Sequence, residues 1–180
     1  ISWYSTTHLN EPTEDQFRKY HYPAKDCSEL HMIWTDSPCL ITCWNDGNSI
    51  IKAYRDHKIE FILAQHPWFE NDCLFADIVL PVNTKLEEKD ISADVFSGQF
   101  RTLQYEEKCI EPIGESRSDY EIVCMIAERL GLLTEYTEGK DVDEWIRHGF
   151  ENSGVADYIS FDEFRENKYF VVPTDADWKK

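Results

Sequence analysis

Two polar clusters, each placed where an apolar run stops, carry the residues in this sequence best suited to holding a ligand. Phe61-Ile62-Leu63-Ala64 ends abruptly in Gln65-His66-Pro67-Trp68, and Leu30-His31-Met32-Ile33-Trp34 ends in Thr35-Asp36-Ser37-Pro38. If the apolar runs are strands of an open α/β sheet, Gln65 and His66 stand where such sheets hold ligands, beyond the carboxyl ends of the strands. At the other cluster Ser37 reads as a helix N-cap, with Pro38 in the first helical position. A strand followed by a capped helix leaves backbone N–H groups and a positive dipole end facing one spot, an anion site that phosphate commonly occupies. An ordinary strand-to-helix turn explains the same two residues. A third apolar run, Ile78-Val79-Leu80, is stopped by Pro81 and followed by the acidic pair Glu87-Glu88.

The elements that must position these residues follow from the pattern of apolar runs. Runs this short, rich in branched residues and bounded by breakers, predict buried strands of the parallel type. Between the first two, Asn45-Asp46-Gly47-Asn48 is a turn, and a helix over Ser49–Arg55 completes a right-handed βαβ unit. No Gly-x-Gly-x-x-Gly accompanies it, which argues against a nicotinamide site. Residues 91–98 read as a loop, Thr102–Tyr105 as the start of an extended segment and Glu111–Glu115 as a turn. Ser118-x-x-Glu121 is a capping box for a helix that carries Ile122, Met125, Ile126 and Leu130 on one face and ends at Gly131. Asp119 opens that helix, where a carboxylate favours the dipole. Further helices are expected over Asp141–Phe150 and after Ser160-x-x-Glu163, and a strand or extended tail over Tyr169–Val172. The fold class is therefore α/β: three layers, with a mainly parallel sheet flanked by helices.

The totals narrow the function. The chain has 180 residues, 42% of them hydrophobic and 14% aromatic, enough for a real core. With 35 acidic against 18 basic residues the formal charge is −17, which argues against nucleic acid and against anionic membrane surfaces. No apolar run approaches the roughly 20 residues needed to span a bilayer, and no signal-peptide pattern is present. The six cysteines, Cys27, Cys39, Cys43, Cys73, Cys109 and Cys124, show no zinc or iron–sulfur spacing. Cys39 and Cys43 sit four apart, as half a metal site would, but small buried hydrophobes in a reduced compartment is the simpler reading, and it points to the cytoplasm. The start at Ile1 and the unfinished end read as those of a piece of a larger protein.

Ala76-Asp77-Ile78-Val79-Leu80-Pro81, followed by Leu86-Glu87 and Asp90-Ile91, resembles a signature of the dimethyl sulfoxide reductase family of molybdenum and tungsten enzymes. The unbroken run from His66 to Ile91 is most similar to the branch that transfers a hydroxyl between pyrogallol and phloroglucinol. Glu111–Ile122 and Ala127-Glu128-Arg129-Leu130-Gly131 are similar to the family's proline-glycine turn, Ser-Asp pair and helix, so that the match covers about residues 30–152.

The resemblance implies a Rossmann-like domain binding the guanine dinucleotide part of a bis(molybdopterin guanine dinucleotide) cofactor that holds molybdenum, with tungsten possible. On this reading residues 29–154 are the cofactor-binding domain. Residues 1–28 are a lead-in packing on the parent protein, and 155–180 a tail toward its next domain. Ser37 stands where the family usually has Asn, and keeps a hydroxyl for phosphate. Gln65 and His66 match the pair after the second strand, where the family often has an acid that binds the nucleotide. Glu88 falls where relatives commonly carry Arg or Lys, so a phosphate contact there is lost or becomes a ribose or guanine contact. Asp119 matches the family's Asp, and a carboxylate can accept both the N1 and N2 protons of guanine. The metal's protein ligand and the catalytic groups are implied to lie outside this stretch. The implied partners are the remaining domains of the catalytic subunit, an iron–sulfur small subunit and a small aromatic substrate, in an anaerobic cytoplasmic metabolism. Competing readings are the same domain of an S-oxide or N-oxide reductase, a free-standing α/β nucleotide-binding module, and an acidic interaction surface without a ligand.

Overall fold

The computed structural model describes residues 2–4, 17–19, 23, 25–94 and 100–174. The chain divides into two compact units, residues 1–64 with 70–79 and residues 65–69 with 80–180.

In the first unit β1 (Ser2–Tyr4) and β2 (Phe17–Lys19) pair antiparallel. The remaining elements are β3 (Met32–Thr35), α1 (Leu40–Cys43), α2 (Gly47–Tyr54), β4 (Phe61–His66), a 3-10 turn over Asn71–Phe75 and β5 (Ile78–Pro81). The three strands β3, β4 and β5 form one sheet in the order β3-β4-β5. β3 and β4 run parallel, with Met32 opposite Phe61 and Thr35 opposite Ala64. The expected α/β fold is therefore present, with β4 central and its Ile62, Leu63 and Ala64 buried. β5 departs from the expected buried strand: it is an edge, and Ile78 is 47% exposed. Asp77 sews its start to β4, its N–H donating to Ile62 O and its carboxylate accepting from Ile62 N, both at 2.8 Å.

The helix after β3 starts later than Ser37-Pro38 suggests. Its N-cap is Cys39, without a side-chain cap, and Ser37 is exposed with its N–H donating to Thr35 Oγ1 at 3.3 Å. A distant carboxylate takes the capping role: buried Asp72 accepts from Leu40 N at 2.9 Å, Ile41 N at 3.1 Å and the Tyr54 hydroxyl at 2.7 Å. A fixed carboxylate at a helix start satisfies the same N–H groups that a bound anion would. It displaces the local Ser-Pro signal as the cap, and two of the helix N–H groups that an anion could meet, those of Leu40 and Ile41, are bonded within the protein. Burial, reinforced by the Asp72 hydrogen bond and charge, pushes the Tyr54 phenol above its usual range. Gly47 opens α2 beside Ile41, where an added Cβ would lie 2.5 Å from the Ile41 carbonyl oxygen.

The second unit contains β6 (Asp90–Asp94), β7 (Thr102–Glu106), α3 (Asp119–Leu130), α4 (Leu133–Thr137), α5 (Val142–Asn152), a 3-10 turn over Val155–Asp157, α6 (Phe161–Asn167) and β8 (Tyr169–Val171). β6, β7 and β8 form an antiparallel sheet in that order. The predicted loop over 91–98 is thus strand through Asp94, because Ile91 and Ala93 find partners in Tyr105 and Leu103; residues 95–98 lie outside the described ones. Leu103 and Tyr105 of β7 meet Ile146 and Phe150 of α5, Val155 and Phe164 in one buried cluster, in which Phe150 and Phe164 stack at 5.0 Å. The stretch read as an onward tail therefore contributes core residues. α5 lies so close to β6 that a Cβ on Gly149 would approach Ile91 Cγ2 to 3.3 Å.

The other helix starts read from local chemistry are present: Ser118 with Glu121, Asp141 with Glu144 and Ser160 with Glu163 each form a capping box. α3 ends at Gly131 with φ +72°, a conformation in which glycine avoids the Cβ clash. Its apolar face is only partly used, for Ile122 is buried while Met125 and Leu130 are exposed.

Removing the Asp72 carboxylate leaves two helix N–H groups and a buried hydroxyl unpaired. Asp72→Ala is expected to lower unfolding free energy by about 2–4 kcal/mol, against about 1 kcal/mol for Tyr54→Phe, measured by urea denaturation. A loss under about 0.5 kcal/mol for Asp72→Ala would show that the helix start is satisfied another way.

Candidate functional site

The second unit holds a cavity of about 650 Å³ between the segment that follows β5, the start of α3, α4 and the start of α5. Its geometry begins with backbone. The chain leaving β5 continues extended, with Val82 bridging Arg117 in parallel, Asn83 N donating to Arg117 O at 2.9 Å and Val82 N reaching His66 O at 3.5 Å. This pairing fixes Arg117, hence Ser118, hence the first turn of α3. Asp119 stands in that first turn and accepts a hydrogen bond from Nε2 of Gln65, a side chain only 3% exposed. Two of the expected site residues are thus joined directly, across 54 positions of sequence.

The turn between β5 and β6 brings up the acidic pair, and its two members differ. Glu87 is buried and structural: its carboxylate accepts from Thr84 N and Thr84 Oγ1, each at 2.7 Å, and from Ile113 N at 2.6 Å. Those hydrogen bonds, first from the Thr84 backbone, hold its pKa below the usual value. Both glutamates line the cavity with Asp90 and Asp119, but among the described residues the Glu88 carboxylate receives only the hydrogen bond from Asn83. Burial first, then the negative charges of Asp119 and Asp90, push its pKa up from 4.5 to about 7, against the opposing pull of Lys85 and of a hydrogen bond from Asn83. Asn83 is 8% exposed, lines the same cavity, and its Oδ1 has no hydrogen-bond partner.

The other expected residues are placed differently. His66 is half-buried at the end of β4, and its Nδ1 lies 3.3 Å from Trp68 N and 3.2 Å from Trp68 O, turned onto its own loop. Gln65 and His66 are the last residues of β4 itself and not a loop beyond it. Ser37 belongs to the first unit. His31 and His57 are exposed beside Glu60 and Asp56, as surface histidines. Among the cysteines only Cys73 is buried, while Cys27, Cys43 and Cys109 are exposed, so the reading of all six as buried hydrophobes fails. Among the described residues no group of three or more His, Cys, Asp or Glu could hold a metal ion, and no helix is long and apolar enough to cross a membrane. Asn83, Asp90, Tyr136 and Trp145 escaped the sequence reading, because each reaches the cavity only through tertiary packing.

Comparison with known proteins gives this arrangement a family. The molybdopterin oxidoreductase family model matches residues 12–129, which include all five expected site residues. The chain belongs to the molybdopterin oxidoreductase family. It is 35% identical over 175 residues to the pyrogallol hydroxytransferase large subunit of Pelobacter acidigallici, covering 92% of this chain and 20% of that one. It is 30% identical over 145 residues to the dimethyl sulfoxide reductase DmsA of Escherichia coli, covering 78% and 18%. The fold is similar to acetylene hydratase from Pelobacter acetylenicus, with TM-score 0.61 and 18% identity, over 84% of this chain and 19% of that one. The chain spans about a fifth of the length of these relatives.

The family implies a molybdopterin cofactor with its metal, and the cavity can be tested against the parts of such a group. Its charged lining is mostly carboxylate, Glu87, Glu88, Asp90, Asp119, Glu121 and Asp143 against Lys89 and Lys108. Such a lining favours a group that donates hydrogen bonds over an anionic one.

The two neighbouring glutamates should respond oppositely to mutation. Glu87 is held below its unfolded pKa, so its contribution is present above about pH 4.5 and lost as pH falls through the folded value. Glu88 is held above its unfolded pKa, so stability declines as pH rises from about 4.5 to about 7 and then levels. Glu87→Gln should lower the melting temperature at pH 8, and Glu88→Gln should raise it there while changing little near pH 4. Scanning calorimetry at the two pH values decides; equal shifts in the same direction would refute the assignment.

Proposed function

We propose that this chain is the part of a molybdenum enzyme's catalytic subunit that binds the guanine dinucleotide end of a bis(molybdopterin guanine dinucleotide) cofactor, with tungsten as the possible alternative metal. The observation that carries this reading is the Gln65–Asp119 hydrogen bond at the rim of an acceptor-lined cavity. Gln65 occupies one Asp119 oxygen and fixes the plane of the carboxylate, leaving acceptor capacity toward the base. Asp119 and Glu88 serve the guanine. His66 serves a ribose hydroxyl, and Ser37 offers a hydroxyl toward phosphate. No catalytic residue is assigned within the chain. When bound, the molybdopterin-held metal supplies the reaction centre; the residues here bind and orient the far end of the group that carries it.

Residues 29–154 are the dinucleotide domain on this reading. Residues 1–28, described only in part, are the lead-in that packs on the parent, and 155–180, whose Val155 and Phe164 lie in the second unit's core, continue toward the next domain. The parent reaction is hydroxyl transfer between pyrogallol and phloroglucinol, supported by 35% identity over 175 residues to a pyrogallol hydroxytransferase, against 30% over 145 to an S-oxide reductase. An iron–sulfur small subunit, a cytoplasmic location and anaerobic metabolism accompany that reading.

The test is nucleotide and metal analysis of the full-length protein after mild acid release. Guanosine monophosphate in a pair for each molybdenum or tungsten atom is expected, and Asp119→Ala should reduce its occupancy severalfold. No guanine nucleotide and neither metal would overturn the proposal.

A further inference from the structure

A second pocket in the second unit, of about 240 Å³, lies between the start of α5, α6 and β7. It shares Lys89 and Asp143 with the larger cavity and is otherwise separate. Its Arg147, Phe161 and Arg165 lie beyond the residues that the family model matches. The floor is core: Tyr105 is more than nine-tenths buried and meets Phe161 and Phe164 edge-on, with ring centroids 6.4 and 6.1 Å apart. The walls are charged, with Lys89, Arg147 and Arg165 set against Asp141, Asp143 and Glu144.

These charges are unequally satisfied. Asp143 takes Lys89 at 3.0 Å. Asp141 accepts from Glu144 N at 2.9 Å and Glu144 from Asp141 N at 2.8 Å, so both serve the start of α5. Arg147 lies over the Phe161 ring at 4.3 Å, and Arg165 stands 5.9 Å from the ring centroids of both Phe161 and Tyr105. Among the described residues neither guanidinium has a hydrogen-bond or ion-pair partner. Glu107 feels the Arg165 charge but is bonded to Lys168 at 2.6 Å. A guanidinium carries its N–H groups along its edge, so a ring against its face leaves the fork that suits a carboxylate. The Tyr105 hydroxyl also lacks a partner among the described residues, and it is not one of their sealed side-chain atoms, which are Asn83 Oδ1, Glu106 Oε2 and Trp145 Nε1. The Asp143 hydrogen bond acts first on the Lys89 ammonium, but Tyr105 and Arg165 act on it too, which puts the three groups around one space.

We propose that this pocket binds a small monocarboxylate, gripped by Arg147 and Arg165, with the Tyr105 hydroxyl donating to the same group. The charge of the lining sets the class. Three cations face three carboxylates, so one negative charge is accommodated where the two unpaired arginines meet it. A phosphate dianion would add to three carboxylates without cations to match it. The donors agree, because planar forks meet a planar carboxylate bidentately. Phe161 and Tyr105 favour a flat, apolar body behind the carboxylate. The site stands independently of the dinucleotide reading.

The experiment is calorimetric titration of the full-length protein at pH 8 with benzoate, with benzamide as its neutral counterpart and inorganic phosphate as the dianion. Saturable binding of benzoate is expected, with benzamide and phosphate each at least about tenfold weaker. Arg147→Gln and Arg165→Gln should each weaken benzoate about tenfold, and Tyr105→Phe, which keeps the ring, severalfold. Arg147→Lys keeps the charge but loses the fork, and should restore only part of the loss. The arginine variants should keep the melting temperature and the metal content of the parent, since neither residue lines the larger cavity. Benzoate that binds no better than benzamide, phosphate that binds better than benzoate, or benzoate binding unchanged in folded Arg147→Gln and Arg165→Gln would overturn the proposal. So would a folded parent protein that takes up no benzoate.

Discussion

The second unit's site depends on one constraint: the first turn of α3 is fixed from outside the helix. Arg117 pairs with Val82 and accepts from Asn83 N, and two residues later Asp119 is held by Gln65 from the end of β4. The helix dipole alone would favour a carboxylate at position 119 and leave its rotamer free. A buried amide donor restricts that freedom, and a preorganised carboxylate loses less entropy on binding than a mobile one. The cavity, Glu88's environment and the unpaired Asn83 acceptor all follow from the same registration of the β5 exit against the α3 start.

The acidity of the chain acquires a local meaning from this. Most of the −17 formal charge solvates the surface, but within the cavity carboxylates meet at close range and change one another's chemistry. A pocket with more carboxylates than cations in its lining favours hydrogen-bond donors over phosphate. The turn after β3, the natural place for phosphate, has its helix N–H groups taken by Asp72. The two candidate places thus differ in chemistry: the cavity is lined mostly by carboxylates, and the turn after β3 has helix N–H groups already taken.

What the sequence revealed and what it hid divide along the range of the interactions. The capping boxes at Ser118 and Ser160, the helix start at Asp141 and the end of α3 at Gly131 are set by residues within four positions of one another and were legible. The β3–β4 pair was legible from its apolar runs and abrupt breakers. The cap of α1 was not, because Asp72 lies more than 30 positions away and overrides the Ser37-Pro38 signal. The strand at Asp90–Asp94 was hidden because its pattern becomes meaningful only opposite Thr102–Glu106. For the site, Gln65 and Asp119 were recognisable by position and by resemblance, whereas their mutual bond was not. Asn83 carried no signal at all, and only the lack of a partner for its buried oxygen marks it.

The most direct test is a crystal structure of the full-length protein with its cofactor bound. A guanine ring in the cavity between Asn83, Glu88 and Asp119, with Gln65 still bonded to the Asp119 carboxylate, is expected. A cofactor whose base lies elsewhere, with the cavity filled by water or by a neighbouring protein segment, would contradict the assignment of this cavity and of the residues around it.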